Sequence, residues 1–240
     1  MSMFTIEDRS SESPLVERLW RAHSESAGMF LSVAASHSEI VVTRHRGKTF
    51  LTLRGPETKA TTADCPADGE WLGIRFKLGT FVPDFLPGKL LDRRDVTLPG
   101  ASTHAFWLNG SAWEYPRFEN ADIFVARLVR KGVIARDSIV DAVMHKRSQT
   151  LSLRSTQRHF LRATGMTYST WRQIERARHA TNLLRQGMSI LDTVYRAGYF
   201  DQPHLTRSLK QRIGQTPAEI IRGHQQLSLL YKTEALSDIV

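Results

Sequence analysis

Residues 189–222 read SILDTVYRAGYFDQPHLTRSLKQRIGQTPAEIIR. Ile190, Leu191, Val194, Tyr195 and Ala197 stand at helical spacing, and Gly198 stops that helix because glycine accepts the positive φ that other residues resist. Asp201 is a suitable N-cap for a second helix, and Pro203 is tolerated in a first helical turn. Leu205, Leu209 and Ile213 follow at intervals of four, an apolar seam able to pack on the first helix. The other side of the second helix carries Gln202, Thr206, Arg207 and Lys210. Gly214 ends it, and Thr216-Pro217 starts a short final helix. Two short helices joined by a glycine-containing turn, the second presenting amide and guanidinium groups outward, make the helix-turn-helix pattern of DNA readers.

The pattern occurs twice. Residues forty-nine apart pair Arg158 with Arg207, Phe160 with Leu209, Gly165 with Gly214 and Thr167 with Thr216. In the first copy, LSLRSTQRHFLRATGMT (151–167), Ser152 is the N-cap, Phe160 the apolar anchor, and Arg154, Gln157 and Arg158 point away from it. The motifs are expected at about 137–165 and 189–214. Leu153, Phe160, Trp171, Leu205, Leu209 and Ile213 are read as core. Tyr168 to Arg185 carries Trp171, Ile174, Ala177, Ala180, Leu183 and Leu184 at helical spacing, a rod that would hold two readers apart. Arginine offers a fork to guanine and glutamine a donor and acceptor to adenine. The expected DNA-contacting residues are therefore Arg154, Gln157, Arg158, Gln202, Thr206, Arg207 and Lys210.

The run AGYFDQPHLTRSLK, followed by IGQTPAEIIR, closely resembles the second helix-turn-helix of AraC/XylS-type bacterial transcription regulators. The resemblance implies a sequence-specific DNA-binding transcription regulator whose two motifs, joined by a linker helix, read adjacent major-groove segments. It also implies an N-terminal domain that senses an effector, dimerises, or both. There are departures. The turn HKRSQTLS (145–152) is longer than the family's usual one and lacks its glycine, Thr156 stands where an aliphatic residue is usual, and Pro203 replaces a side chain that in related proteins reaches a base.

Charge follows the same division. The 240 residues carry a net +9, but residues 121–240 hold 19 Lys/Arg against 9 Asp/Glu and residues 1–120 hold 14 against 15. The basic half is the half with the repeated motif, as phosphate neutralisation requires. A single cysteine excludes an internal disulfide framework and fits a reducing compartment. MSMFTIEDRS has neither a basic nor an apolar leader region, and no apolar run reaches the roughly 18 residues of a membrane span. The expected location is cytoplasmic, with no membrane partner.

Upstream, residues to about Ser13 look like a polar tail, and Pro14 to Ala22 like a helical turn or two with Leu15, Leu19 and Trp20 on one side. MFLSVAAS, EIVVTRHRG, KTFLTLRGP, TKATTA and EWLGIRFKLG are short runs rich in Val, Ile, Thr and Phe, separated by turn residues. They read as an antiparallel sandwich or small cupin-like barrel, with RHRGKTF the clearest hairpin. FVPDFLPGKLLDRRDVTLPG reads as a loop or short helix over the sheet. From Asn120 the pattern is helical: one helix runs to Lys131 and buries Ile123, Phe124 and Leu128, and the next is capped by Asp137 or Ser138. The expected fold is α+β. A β-rich sensor or dimerisation domain occupies 1–118, and an all-α DNA-binding domain with two helix-turn-helix motifs joined by a linker helix occupies 119–240.

Nine histidines raise a metal hypothesis, but His37 and His45 lack the clustered spacing of a catalytic cupin, so neither metal nor cofactor is expected. Domains like the C-terminal one are sometimes joined to methyl-accepting DNA repair modules. Cys65, alone beside Asp64, lacks the clustered thiols such a module would use. No phosphate loop, nucleophile elbow or paired-carboxylate motif appears, and the chain is not read as an enzyme. The weighed alternatives are a cupin-type enzyme or an interaction adaptor carrying a nucleic-acid-binding domain. Double-stranded DNA is the expected partner. RNA polymerase, a small-molecule effector and a second copy of the chain are left open. Phe50, Trp71, Phe76, Phe81 and Trp107 could line an effector pocket or be ordinary core.

Overall fold

A computed structural model describes residues 4–145, 147 and 151–223. The chain begins with β1 (Phe4–Arg9), β2 (Val16–Ser24), β3 (Gly28–Ser32), β4 (Glu39–His45), β5 (Lys48–Arg54), β6 (Thr61–Cys65) and β7 (Glu70–Phe76). It continues through β8 (Thr80–Phe81), a 3₁₀ turn at Pro87–Lys89, β9 (Val96–Thr97), β10 (Gly100–Ser102), β11 (Ala105–Leu108) and β12 (Ser111–Glu114). Then come α1 (Ala121–Arg130), β13 (Ala135–Arg136), α2 (Ser138–Met144), α3 (Leu153–Thr164), α4 (Tyr168–Arg185), α5 (Ile190–Arg196), α6 (Gln202–Arg212) and α7 (Pro217–Arg222). An antiparallel β-rich part thus precedes a helical one. By packing, the chain forms two compact units that interleave along the sequence.

The first unit comprises the residues up to Ala27, Ser36–Pro56 and Pro66–Tyr168. Its main sheet has six antiparallel strands in the order β1-β2-β7-β4-β5-β9. Ile40, Val42, Leu51, Leu53, Leu72 and Ile74 point to one core, which α1 closes with Phe124, Val125 and Leu128. β4 and β5 pair from Glu39↔Arg54 to His45↔Lys48 across a two-residue Arg46-Gly47 turn, both residues at positive φ as a tight hairpin demands. Trp20 lies over its register partner Gly73, where a Cβ would come within 1.9 Å of the indole.

Several expectations are corrected here. The supposed polar tail contains β1, whose polar side chains suit a strand at the sheet edge. The supposed helical turns are β2. Its pairing with β7 shifts register between Val16 and Arg18, which lets Val16 and Leu19 share the core, while Trp20 is buried on the other face, a spacing that mimics a helix. The loop over the sheet contains one 3₁₀ turn, and a separate three-stranded sheet β10-β11-β12 follows it. Ile123, expected inside, is 67% exposed. Phe76 and Phe81 are core, whereas Trp107 is exposed. Of the five aromatics proposed for a pocket, Trp71 lines a cavity of about 540 Å³ in the first unit, together with Arg21, Arg44 and Phe118.

The second unit comprises Gly28–Ala35, Glu57–Cys65 and the chain from Ser169. Its core joins Ala177, Ala180 and Leu184 of α4 to Ala197, Tyr199, Leu205, Leu209, Ile213 and Ile220. The β3–β6 ribbon contributes Leu31 and Val33 to the same cluster. The ribbon is sewn to the end of α6: Ala34 N–H donates to the Arg212 carbonyl at 2.8 Å and Ala60 N–H to the Gln211 carbonyl at 2.9 Å. The buried Arg212 guanidinium donates to the Thr58 carbonyl and, at 2.8 Å, to Gln173 Oε1. No helix among the described residues is long and apolar enough to cross a membrane.

Candidate nucleic-acid interface

In the second motif each helix boundary has a chemical cause. Ser189 caps α5 by accepting from Asp192 N–H at 3.1 Å. Gly198 takes φ +66° in the turn. Asp201 caps α6 by accepting from His204 N–H at 2.7 Å, and Pro203 sits in the first turn, where its missing N–H costs nothing. Leu205, Leu209 and Ile213 are fully buried, each contributing roughly 1.5–3 kcal/mol. α7 starts with a full capping box between Thr216 and Glu219. Hydrogen bonds from Thr216 hold the Glu219 carboxyl below its usual range, helped by Lys210.

Burying one face of α6 turns the other to solvent. Gln202, Arg207 and Lys210 are exposed and Thr206 is half-buried. Lys210 Nζ lies 3.4 Å from Glu219 Oε2, an exposed pair of little strength that leaves the ammonium accessible. In the first motif, Asp137 caps α2 through Ile139 and Val140 N–H, and its second oxygen meets His159 Nδ1 of α3 at 2.8 Å. Ser152 caps α3 through Ser155 N–H. Phe160 is buried and stands edge-on to Tyr168 at 5.5 Å. Arg154, Gln157 and Arg158 are exposed. Among the described residues, neither these three side chains nor Gln202 and Arg207 have a hydrogen-bond or ion-pair partner. Guanidinium and amide groups therefore stand ready for an external acceptor on both helices.

Some seam positions differ from expectation. Leu153 is 75% exposed although it lies two turns before Phe160 on the same side of α3, because it is the first residue of that helix, and Leu191 and Tyr195 are 71% and 86% exposed on the outer side of α5. Trp171 is only half-buried. Residues 146 and 148–150 of the long turn at 145–152, and the tail after Gly223, lie outside the described residues. Arg212 went unnoticed in the sequence although it stands three residues after Leu209, on the same side of α6 as the apolar seam. Its charge disguised an inward position. Arg176 over the Tyr199 ring at 4.5 Å, and Tyr199 Oη with Ser208 Oγ at 3.0 Å, brace α6 from within. Burial raises the Tyr199 phenol pKa, against the opposing pull of Ser208, Arg176 and Arg212.

The family model described as "Helix-turn-helix domain" matches residues 148–223, which span α3 to α7. Residues 148–223 are an AraC-type helix-turn-helix domain. The chain is 35% identical over 75 residues to "HTH-type transcriptional regulator RipA" of Corynebacterium glutamicum, covering 31% of this chain and 23% of that protein. It is 36% identical over 83 residues to "Regulatory protein ada" of Salmonella typhimurium, covering 35% of this chain and 23% of that one. The chain thus spans about a quarter of each relative's length. The solved structure of ToxT from Vibrio cholerae aligns over 92% of this chain and 98% of its own at 11% identity and a TM-score of 0.36. Among the described residues no group of three His, Cys, Asp or Glu could hold a metal ion, and Cys65 is buried in β6.

Proposed function

We propose that the whole chain is a cytoplasmic, sequence-specific transcription regulator in which α3 and α6 enter adjacent major-groove segments of double-stranded DNA. In this reading residues 119–240 bind DNA and residues 1–118 sense a small-molecule effector or pair with a second copy of the chain. RNA polymerase is the partner through which transcription responds. Arg154, Gln157, Arg158, Gln202, Thr206, Arg207 and Lys210 contact bases and phosphates, and no enzymatic step is involved. The observation that carries the reading is the repeated exposed face of guanidinium and amide groups, backed by a buried apolar seam, within a matched helix-turn-helix domain.

The test is selection from a random duplex library at near-physiological salt. Enrichment of two short blocks about one helical turn apart is expected; binding without enrichment would overturn specific regulation. On the selected site, Arg207→Ala should weaken binding about 5- to 100-fold, the loss of one good base contact. Arg54→Ala should leave binding unchanged. Equal effects in a gel-shift titration would remove α6 from the interface.

A further inference from the structure

Phe200 is the least expected side chain of the second motif. It is the residue immediately before the N-cap Asp201, and it is 90% exposed. An apolar residue in that place ordinarily staples the helix entrance by packing on the fourth helical residue, here Leu205. Leu205 is completely buried and its cluster is built from Tyr199, not Phe200. The chain passes Tyr199 inward, edge-on to His204 at 5.1 Å, and Phe200 outward. An almost fully exposed phenyl ring contributes nothing to this core. The half-buried Asp201, which caps α6, and the exposed Gln202 and Pro203 follow it at the mouth of the helix, with Arg207 and Lys210 further along the same exposed face. Beyond the cap that face is cationic and carries an amide, complementary to a nucleic-acid groove.

We propose that Phe200 is a base-reading residue that packs against the 5-methyl group of a thymine in the major groove. The inference rests on the reading of α6 as a recognition helix, and it names what the helix entrance recognises. The major-groove edge of thymine offers one acceptor and an apolar methyl group, and a phenyl ring suits that methyl. The N-terminal residues of a recognition helix are those that reach base edges. Pro203 at the second helical position donates no N–H and has no polar side chain, so this end of α6 offers apolar surface where a hydrogen-bonding residue would otherwise stand. Gln202 and Arg207 remain for polar readout further along the groove.

The experiment uses the full chain and the duplex selected from the random library, with each thymine replaced in turn by deoxyuridine. That change removes only the methyl group and preserves pairing. For the natural protein, one thymine should stand out, its replacement weakening binding about fourfold, the worth of one buried methyl. Phe200→Ala should bind the thymine and deoxyuridine duplexes equally, and Phe200→Leu should keep part of the preference. Arg207→Ala should bind both more weakly while preserving their ratio. Each ratio is internal to one variant, so a general loss of folded protein cannot imitate the result. Absence of any methyl-dependent position, or a preference that survives in Phe200→Ala, overturns the proposal while leaving a selected site, and with it the regulator reading, in place. Failure to select any site removes both.

Discussion

Glu39 is a carboxylate held charged inside the first unit. Burial alone would raise its pKa. The hydrogen bond and charge of His37, with the charges of Arg75 and Arg54, outweigh that and hold it well below the usual carboxylate range. His37 Nε2 and Arg75 Nε lie 2.9 and 3.2 Å from Glu39 Oε1. A carboxyl depressed in the folded state adds stability that is fully present above its unfolded pKa of about 4.3, and that is lost as pH falls below that value towards the folded one. Glu39→Gln should cost about 3 kcal/mol at pH 7 in urea unfolding, and it should lose less than the natural protein between pH 5 and pH 3. Parallel pH profiles would show that Glu39 does not drive acid sensitivity. Gly214 carries a different constraint. At φ +83° a Cβ would lie 3.2 Å from Ala60 Cβ and from Leu31 Cδ2. Gly187, at φ +88°, has nothing within 4 Å. Both alanine variants should lose about 1–2 kcal/mol from the backbone conformation, and Gly214→Ala should lose more, because the ribbon must give way. Equal losses in denaturant midpoint would show that the ribbon yields freely.

At the scale of elements, α6 depends on its ends as much as on its seam. Asp201 satisfies the His204 N–H at the helix entrance. Asp201→Ala should remove about 1 kcal/mol from that end, read as roughly fivefold faster hydrogen exchange at the His204 amide with the core of α4 unaffected. Unchanged exchange would mean that Pro203 and the turn suffice to start the helix. Caps and seams of this kind were legible because their partners lie within a few residues: Ser152, Asp137, Asp201 and Thr216 all cap as their positions suggest. Strand β2 was not legible, since a register shift placed its buried residues at helical intervals. The outward turn of Leu191 and Tyr195 was missed for a related reason. On a short helix several angular positions match an apolar period, and packing decides which of them is inside.

For the whole molecule the charge asymmetry leads to a measurable consequence. If Arg154, Arg158, Arg207 and Lys210 neutralise phosphates, the logarithm of the binding constant should fall against the logarithm of salt with a slope of about −3.6, and less steeply by about one unit for each of these residues that is neutralised. A slope near zero in a fluorescence-anisotropy titration would remove the phosphate contacts.

Local chemistry determined, from sequence alone, the helical C-terminal region, its duplicated motif, its caps and its exposed polar faces, because periodicity and capping act over one or two turns of chain. The antiparallel strands from Glu39 to Phe76 were equally visible in their β-branched runs. Only the tertiary structure decided that β1 and β2 are strands, that Arg212 turns inward, and that the β3–β6 ribbon packs with α4 to α7 in one unit. Each of those outcomes depends on partners distant in sequence. The ribbon meets α6 about 150 residues further on, as the Arg212 bond to Thr58 spans 154 positions. No pattern within a strand or a helix encodes a contact across that separation, and packing alone selects it.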